Sequence, residues 1–556
     1  MLEGTAILRT DTQVYFRTVE LVQEPIAGSP GLSFYFRVNK KPIFLKGSNW
    51  IPAHALQDLV SPADVRNLLQ STVDANMNAL RVWGGGVYEQ DLFYTLCDEM
   101  GVMIWQDFMF ACAMYPTEPD FIETVREEVV QQVRRLKSHP SVIVWSGNNE
   151  NEAALATDWF GIPVAQQPRY HRDYVTLYVD NIRDIVQKED GSRPFLVSSP
   201  TNGAESQREG WVAHDPYDLH YGDTHYYSYS RDCWDWTAMP RTRFASEYGF
   251  QSWPSFSTLQ KVMQAQCVKA QTEFYRRSQS EVIEGKGHTM GALYWQLNDI
   301  WQGPSWSSIG RYCYCDFFSP VLPVGFEDQG SLVVYAVSDL SHDLHLRTVV
   351  LVEGGSAEVI HKQPITALLA GCGGGSCTRL TCLLTFHLED VNGQQGPINH
   401  LFLSSPKKAQ GMLRPNITAK VQQDEAKVQE DEVGEYTVTP LSLSSQAKVQ
   451  QDEAKVQQDE VGEYTVTPLS LSSQAKVQQD EAKVQQDEVG EYTVTLQSSA
   501  VAAFVWLDVG DVPGRFGTNG FLMVTRNRTV TFNPWGLTST QQLAKALTVT
   551  SLRDVY

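Results

Sequence analysis

The stretch HPSVIVWSGNNENE, residues 139–152, is an apolar run that ends in two asparagines and two glutamates. RFASEYGF, residues 243–250, is a second apolar run that closes on an acid. Glu150 and Glu247 each stand where a buried strand would end, and Asn149 precedes the first of them. Two carboxyls that can flank one bond suit glycoside hydrolysis. One, kept protonated, delivers a proton to the leaving oxygen; the other, ionised, attacks carbon or activates water. A gap of about 5 Å between them gives a covalent glycosyl-enzyme and retention, and a wider gap gives inversion. Asn49, Arg81, Trp83, Asp107, His225, Tyr227, Trp295, Asn298 and Asp299 close other apolar runs in the same way.

Such a pair needs a scaffold that brings distant strand ends to one face. Eight apolar runs begin at residues 43, 79, 103, 142, 195, 223, 243 and 291. Helical patterns lie between several of them. Ser61-Pro62-Ala63-Asp64 is a capping box with proline at the first helical position, followed by Val65, Leu68, Leu69 and Val73. Thr117 to Asp120 repeats the device ahead of Phe121, Val125, Val129, Val133 and Leu136, and a third helix runs through Val175, Val179, Ile182 and Ile185. Eight strands with helical crossovers in about 260 residues match a (β/α)8 barrel, whose site lies at the strands' C-terminal ends. A doubly wound sheet is the alternative, but its Gly-rich phosphate turn GxGxxG is absent.

The expected architecture is multidomain, a (β/α)8 TIM barrel flanked by β-sandwich domains. Residues 1–40 read as the remnant of an immunoglobulin-like β-sandwich and 41–320 as the barrel, incomplete near its end. Residues 321–410 read as a β-sandwich, and 411–556 as a C-terminal β-sandwich containing a repeat insertion at 419–500. The insertion holds three near-identical copies of AKVQQDEAKVQQDEVGEYTVTPLSLSSQ with a period of 28. Valine and alanine once per heptad bury too little for a coiled coil or solenoid, so a tandem duplication accounts for it better. The copies carry −4, −3 and −3, about half of the net charge of −21.

That acidity excludes a nucleic-acid backbone as partner, which needs clustered Lys and Arg. No apolar run is long enough to span a bilayer, no basic stripe suits a membrane surface, and the opening residues lack the pattern of a signal peptide. The sequons at Asn416 and Asn527 matter only in a secreted chain. The nine cysteines show no metal-ligand spacing with histidines; Cys372, Cys377 and Cys382 allow one local disulfide or stay free.

GSNWIPA, LRVWGGGVYEQDLFY, WQDFMFACAMYP, SHPSVIVWSGNNENE, RFASEYGFQSWPS and GALYWQLNDIWQ resemble the lysosomal type of β-mannosidase, retaining glycoside hydrolases of family 2. The resemblance implies Glu150 as acid/base and Glu247 of SEYG as nucleophile. It implies a substrate-binding set of Asn149, Arg81, Trp83, His225, Tyr227 and Trp295. Asn149 would hold the sugar 2-hydroxyl, Arg81 would keep Glu247 ionised, and Trp83 and Trp295 would wall Glu150 and raise its pKa or pack in the core. His225 and Tyr227 would touch sugar or nucleophile, with Trp50 and Asn298 further out. Glu152 would be a solvated side chain or a support for a neighbour. The implied function is removal of terminal non-reducing β-mannose from oligosaccharides in the lysosome, with no metal, no cofactor, and no nucleic-acid or membrane partner.

Four departures from the family pattern carry expectations of their own. The family's N-terminal sugar-binding-like β-domain and most of the next sandwich are lacking. Gln260 meets Lys261 where the family has further residues beside the cleft. SSIGRYCYCDFFSP, with Cys313 and Cys315, replaces the last barrel helix, which predicts uncovered apolar faces. One hairpin, NITAKVQQDE joined to VGEYTVTLQSS, is all the resemblance needs of the repeat, so the extra copies should loop out or compete for one strand position. Two other readings stand beside the first: another family-2 glycosidase of β-galactosidase or β-glucuronidase type, and an inactive truncated fragment or faulty gene model.

Overall fold

A computed structural model describes residues 15–251, 258–301, 305–308, 316–347, 351–372, 377–405, 408–423, 464–468, 490–510 and 512–555. After three N-terminal strands, β1 (Val19–Val22), β2 (Tyr35–Val38) and β3 (Lys41–Ile43), come eight parallel ones. These are β4 (Leu45–Trp50), β5 (Ala79–Val82), β6 (Met103–Asp107), β7 (Val142–Ser146), β8 (Phe195–Leu196), β9 (Thr224–Tyr226), β10 (Ala245–Tyr248) and β11 (Gly291–Tyr294). Their order is β8-β7-β6-β5-β4-β11-β10-β9, and Asp223 N–H donates to the Thr201 carbonyl at 3.1 Å, joining the two ends into a barrel. Each of the eight apolar runs holds one strand. Most of their residues are buried on both faces, which is why they read as continuous apolar stretches rather than alternating ones.

The crossovers follow from their caps and stripes. Helix α1 (Pro62–Asp74) begins at the expected reciprocal cap, with Asp64 N–H on the Ser61 hydroxyl and Ser61 N–H on the Asp64 carboxylate. Helix α2 is Asp91–Met100. Helix α3 (Pro119–Leu136) buries Val125, Val129, Val133 and Leu136, but its expected capping box is not formed. Its N-cap is Glu118, and Thr117, one residue too early, donates to Asp173 instead. The third pattern is one helical run, α5 (Gln167–Tyr174), Val175–Arg183 and α6 (Asp184–Glu189), whose middle part is wound as a π-helix; the short α7 (Ala204–Arg208) follows β8.

The N-terminal strands β1 to β3 form an antiparallel sheet that plugs the barrel floor. Phe34 and Phe36 pack edge-on against Phe244, and Phe36 also meets Trp105. At the other end of the barrel sequence, no α-helix follows β11 before residue 321 among the described residues. The apolar face expected to stand open there is covered instead. Phe318 stacks on Tyr294 with centroids 6.3 Å apart, Phe317 lies edge-on to the same ring, and all three are buried. Cys313 and Cys315 lie outside the described residues.

Val321–Asp328, Ser331–Ser338 and Ser356–Pro364 form one sheet of the next unit, and Cys382–Asp390 and Gly393–Phe402 pair in another. Leu332 and Val334 from the first sheet share a core with Leu384 and Phe386 from the second. Ile417–Gln423 and Tyr492–Ser498 pair antiparallel, from Ile417 opposite Ser498 to Gln423 opposite Tyr492. This is the hairpin expected from the repeat, and Tyr492, Val494 and Leu496 turn into the C-terminal core. Most of the repeat lies outside the described residues. Its second copy, however, supplies the strand Tyr464–Pro468, which pairs with Cys382–Phe386 in the preceding unit. The EYTVT strands of the second and third copies thus lie in different sheets, where both sheets offer an edge, rather than at one strand position. Cys377 pairs with Cys382, Cys372 is free, and Cys233 pairs with Cys267 of helix α8 (Thr258–Arg277). The backbone of α8 runs through the Gln260–Lys261 junction as continuous helix.

Barrel and sandwich meet at Asp339, whose carboxylate accepts from Lys46 at 2.7 Å and Arg276 at 2.6 Å. Arg276 also donates to the carbonyls of Phe317 and Ser319, so one acid fixes strand β4, helix α8 and the segment that covers β11. Asp339→Ala leaves two buried cations without their anion and is expected to lower unfolding stability by about 3 kcal/mol, read as a drop in the urea midpoint.

Candidate active site

The barrel's C-terminal mouth is organised around Arg81, at the end of β5 and fully buried. Its Nη1 donates to Glu247 Oε1 at 2.5 Å and to Asn49 Oδ1 at 3.0 Å. Its Nη2 donates to Asp107 Oδ2 and Asn149 Oδ1, both at 2.7 Å, and Nε reaches Asp107 Oδ1 at 3.3 Å. Burial works against the charged guanidinium, but Asp107 and Glu247 outweigh it and hold the proton more tightly than in free arginine. Arg81 thus lies beside Glu247, as the resemblance implies, and its five hydrogen bonds go to Glu247, Asn49, Asp107 and Asn149. Asp107 also accepts the Gly84 N–H at 3.1 Å. A Cβ on Gly84 would lie 2.6 Å from the Phe108 carbonyl, so only glycine lets the β5 loop approach that closely.

Glu150 follows β7 with φ of +65°, a left-handed conformation unusual for glutamate. The next residue starts the short helix α4 (Asn151–Ala156), and Asn151 is held by Tyr178 of the π-helical stretch, at 2.7 Å. The turn aims the Glu150 carboxyl inward. Oε1 lies 2.8 Å from His225 Nδ1, and Oε2 lies 3.2 Å from Cys112 Sγ. His225 Nδ1 is also 3.4 Å from Glu247 Oε2, and Tyr227 donates to that same oxygen at 2.9 Å. Glu150, His225 and Glu247 offer atoms that all lie within 4.8 Å of one another.

That spacing would also accept a cation. Both carboxylates, however, already have positive or proton-bearing partners, Arg81 and Tyr227 on Glu247 and His225 on Glu150, which suits a proton better than a metal. Burial pushes Glu247 up, and it stays above the ordinary glutamate value although His225 and Arg81 pull it down. Burial pushes Glu150 up as well, but the hydrogen bond and charge of His225 outweigh that and hold it below. His225 lies above the ordinary histidine value, because Glu247 and Glu150 overcome its burial. Burial and the nearby Glu150 charge push the Cys112 thiol up to about 12, so it stays a neutral, weak donor.

The sequence matches the TIM barrel domain of glycosyl hydrolases family 2 over residues 33–302 and an Ig-fold domain over 473–555. The goat (Capra hircus) protein named β-mannosidase is 46% identical over an alignment covering 100% of this chain. A Caenorhabditis elegans protein named probable β-mannosidase is 36% identical over 61% of the chain and 47% of its own length. The chain belongs to glycosyl hydrolase family 2. It spans 65% of the length of the goat relative. The crystal structure of a β-D-mannosidase from Dictyoglomus thermophilum superposes on 97% of the chain and 64% of its own with a TM-score of 0.69 at 20% identity, a likeness of fold.

On this family-2 barrel the expected pair, Glu150 and Glu247, comes together with Asn149, Arg81, His225 and Tyr227. Trp83 and Trp295 meet edge-on at 5.1 Å, both half-buried at the ends of β5 and β11. Trp50 and Asn298 are elsewhere. Trp50 is buried with its Nε1 on Glu89, and Asn298 ties its loop to the Ile51 backbone. Asn49, Asp107 and Cys112 were not assigned roles from sequence, nor were Ser199, Asp223 and Ser246. Asn49 and Asp107 were visible as strand ends. The serines and Asp223 carried no signal beyond their place in the FLVSSP, DTHYY and RFASEYG runs. The loop after β9, which carries Tyr227, is pinned by the Cys233–Cys267 bond and by Trp236 donating to the Glu327 carbonyl at 3.0 Å.

Of the two readings of Glu152, the solvated one is corrected: the residue is fully buried, with Oε1 accepting from Ser206 and from Ala213 N–H. Burial pushes its carboxyl up to about 7, against an ordinary 4.5. A raised acid is neutral and without cost below about 4.5 and must ionise in the interior as pH rises through 7, so stability is lost across that window. Glu152→Gln keeps the Oε1 acceptor and removes the titration. Relative to this variant, the wild-type chain is expected to lose about 3 kcal/mol between pH 4.5 and 7.5, read from urea midpoints at both pH values.

Proposed function

We propose that the chain is an exo-acting β-mannosidase that hydrolyses terminal non-reducing β-mannosides with retention. The observation that carries this is the approach of Glu150 and Glu247 within 4.8 Å, a gap for covalent catalysis rather than for an interposed water. Glu247 attacks the anomeric carbon while Glu150 gives its proton to the leaving oxygen; water then enters, Glu150 takes its proton, and the glycosyl ester is cleaved. The side chain of Glu150 is 18% exposed and that of Glu247 is 6%, which supports Glu150, the more open of the two, as the proton donor. Arg81 and Tyr227 hold Glu247 as an oriented carboxylate, and the Arg81 hydrogen bond fixes the Asn149 amide for the sugar 2-hydroxyl. Trp83 and Trp295 supply an apolar corner at the mouth. The names of the relatives favour mannose over galactose or glucuronic acid. No helix among the described residues is long and apolar enough to cross a membrane, and the lysosomal setting belongs to the same proposal.

Hydrolysis of 4-nitrophenyl β-mannoside, measured beside the galactoside and glucuronide, tests the reading. Glu247→Ala is expected to abolish turnover. Glu150→Ala is expected to cut it by about 10²- to 10⁴-fold and to regain activity when azide replaces water as nucleophile. No turnover by the wild-type chain above the Glu247→Ala background would refute the proposal. Arg81→Lys cannot span four acceptors with one ammonium, and kcat is expected to fall about 10²-fold with KM little changed.

A further inference from the structure

His225 is gripped from both sides, and the far side determines what the near side can do. Asp223, almost fully buried, accepts the Thr201 N–H at 2.9 Å on Oδ1 and the hydroxyls of Ser199 and Ser246 at 2.6 and 2.5 Å on Oδ2. A carboxylate with donors on both oxygens is an ionised acceptor. The Ser199 hydroxyl proton is therefore committed to Asp223, and its oxygen faces His225 Nε2 at 3.2 Å as an acceptor. Nε2 must carry a hydrogen. The remaining nitrogen, Nδ1, lies 2.8 Å from Glu150 Oε1, and that contact holds a proton in either of two places. It sits on Nδ1, with Glu150 ionised, or on Oε1, with the imidazole neutral.

We propose that His225 is the proton-loading group for Glu150, with Ser199 and Asp223 as the residues that position it; this rests on the glycosidase reading of the site. In the resting site the proton stays on Nδ1, where Glu150 and Glu247 face it and Arg81 beyond Glu247 opposes it. This agrees with Glu150 lying below and His225 above their ordinary values. During glycosylation the Nδ1–H bond breaks, the Oε1–H bond forms, and the imidazolium becomes neutral imidazole. Glu150 then passes that proton to the leaving oxygen. In deglycosylation Glu150 takes a proton from the attacking water and returns it to Nδ1, so no proton is gained or lost over a turnover.

The test is the dependence on leaving group. A 2,4-dinitrophenolate departs without protonation, whereas a sugar hydroxyl does not. His225→Gln keeps a hydrogen bond to Glu150 but cannot carry the proton. It is expected to lower kcat/KM for a β-mannosyl disaccharide about 10²-fold, and for 2,4-dinitrophenyl β-mannoside less than about fivefold. Asp223→Asn removes the charge that favours the protonated pair, so the alkaline limb of kcat/KM is expected to move down by about one pH unit. Ser199→Ala, which breaks the same link without changing charge, is expected to move it in the same direction and less far. Equal losses on both substrates for His225→Gln, or an unmoved alkaline limb in Asp223→Asn with unchanged thermal unfolding, would overturn the proposal. Failure of the wild-type chain on both substrates would instead remove the glycosidase reading, and this one with it.

Discussion

Four strand ends converge on one guanidinium that water does not reach. Arg81 is fully buried, and its hydrogen bonds go to Asn49 on β4, Asp107 on β6, Asn149 beyond β7 and Glu247 on β10. A buried charge of this kind is tolerated only when its donors are met by acceptors of good geometry. Meeting that demand fixes the two carboxylates' strands relative to each other. Asp107 and Glu247 share the balancing of that charge, Glu247 through Oε1, and Tyr227 takes the other oxygen of Glu247.

The second constraint is the way β7 leaves the barrel. A left-handed residue at Glu150 turns the chain sharply into α4, which points one glutamate at the mouth and buries the next acid, Glu152, beneath it. Two carboxyls separated by a single residue thus meet opposite environments. Glu150 faces a histidine and is drawn toward ionisation, while Glu152 is held by Ser206 and a backbone N–H in the interior and is driven toward neutrality. The π-helical stretch at Val175–Arg183 belongs to the same arrangement, since it brings Tyr178 to Asn151 and so anchors the turn from behind.

Around this centre the scaffold closes itself by unequal means. The floor is plugged by aromatic side chains from the N-terminal sheet, and Phe317 and Phe318 cover Tyr294 of β11. Asp339 then clamps that cover to β4 and α8 with two cations. Apolar area that would otherwise meet water is thereby covered at a cost of only a few ordered residues.

Much of this was legible in the chain itself. Strand positions followed from apolar runs of strand length, the barrel from their count and spacing, and the pair Glu150 and Glu247 from acids placed where such runs stop. Those are local properties, carried by composition and period. What only the tertiary structure decided is which polar groups face each other across the barrel. Arg81 is a buried brace with four partner residues, Glu152 is buried rather than solvated, Trp50 bonds Glu89, and Asn298 ties its loop to Ile51. Ser199 became the link between Asp223 and His225 although 24 and 26 residues separate it from the two. A side chain's role there depends on burial and on partners set by strand register, and neither is written in its own neighbourhood of sequence.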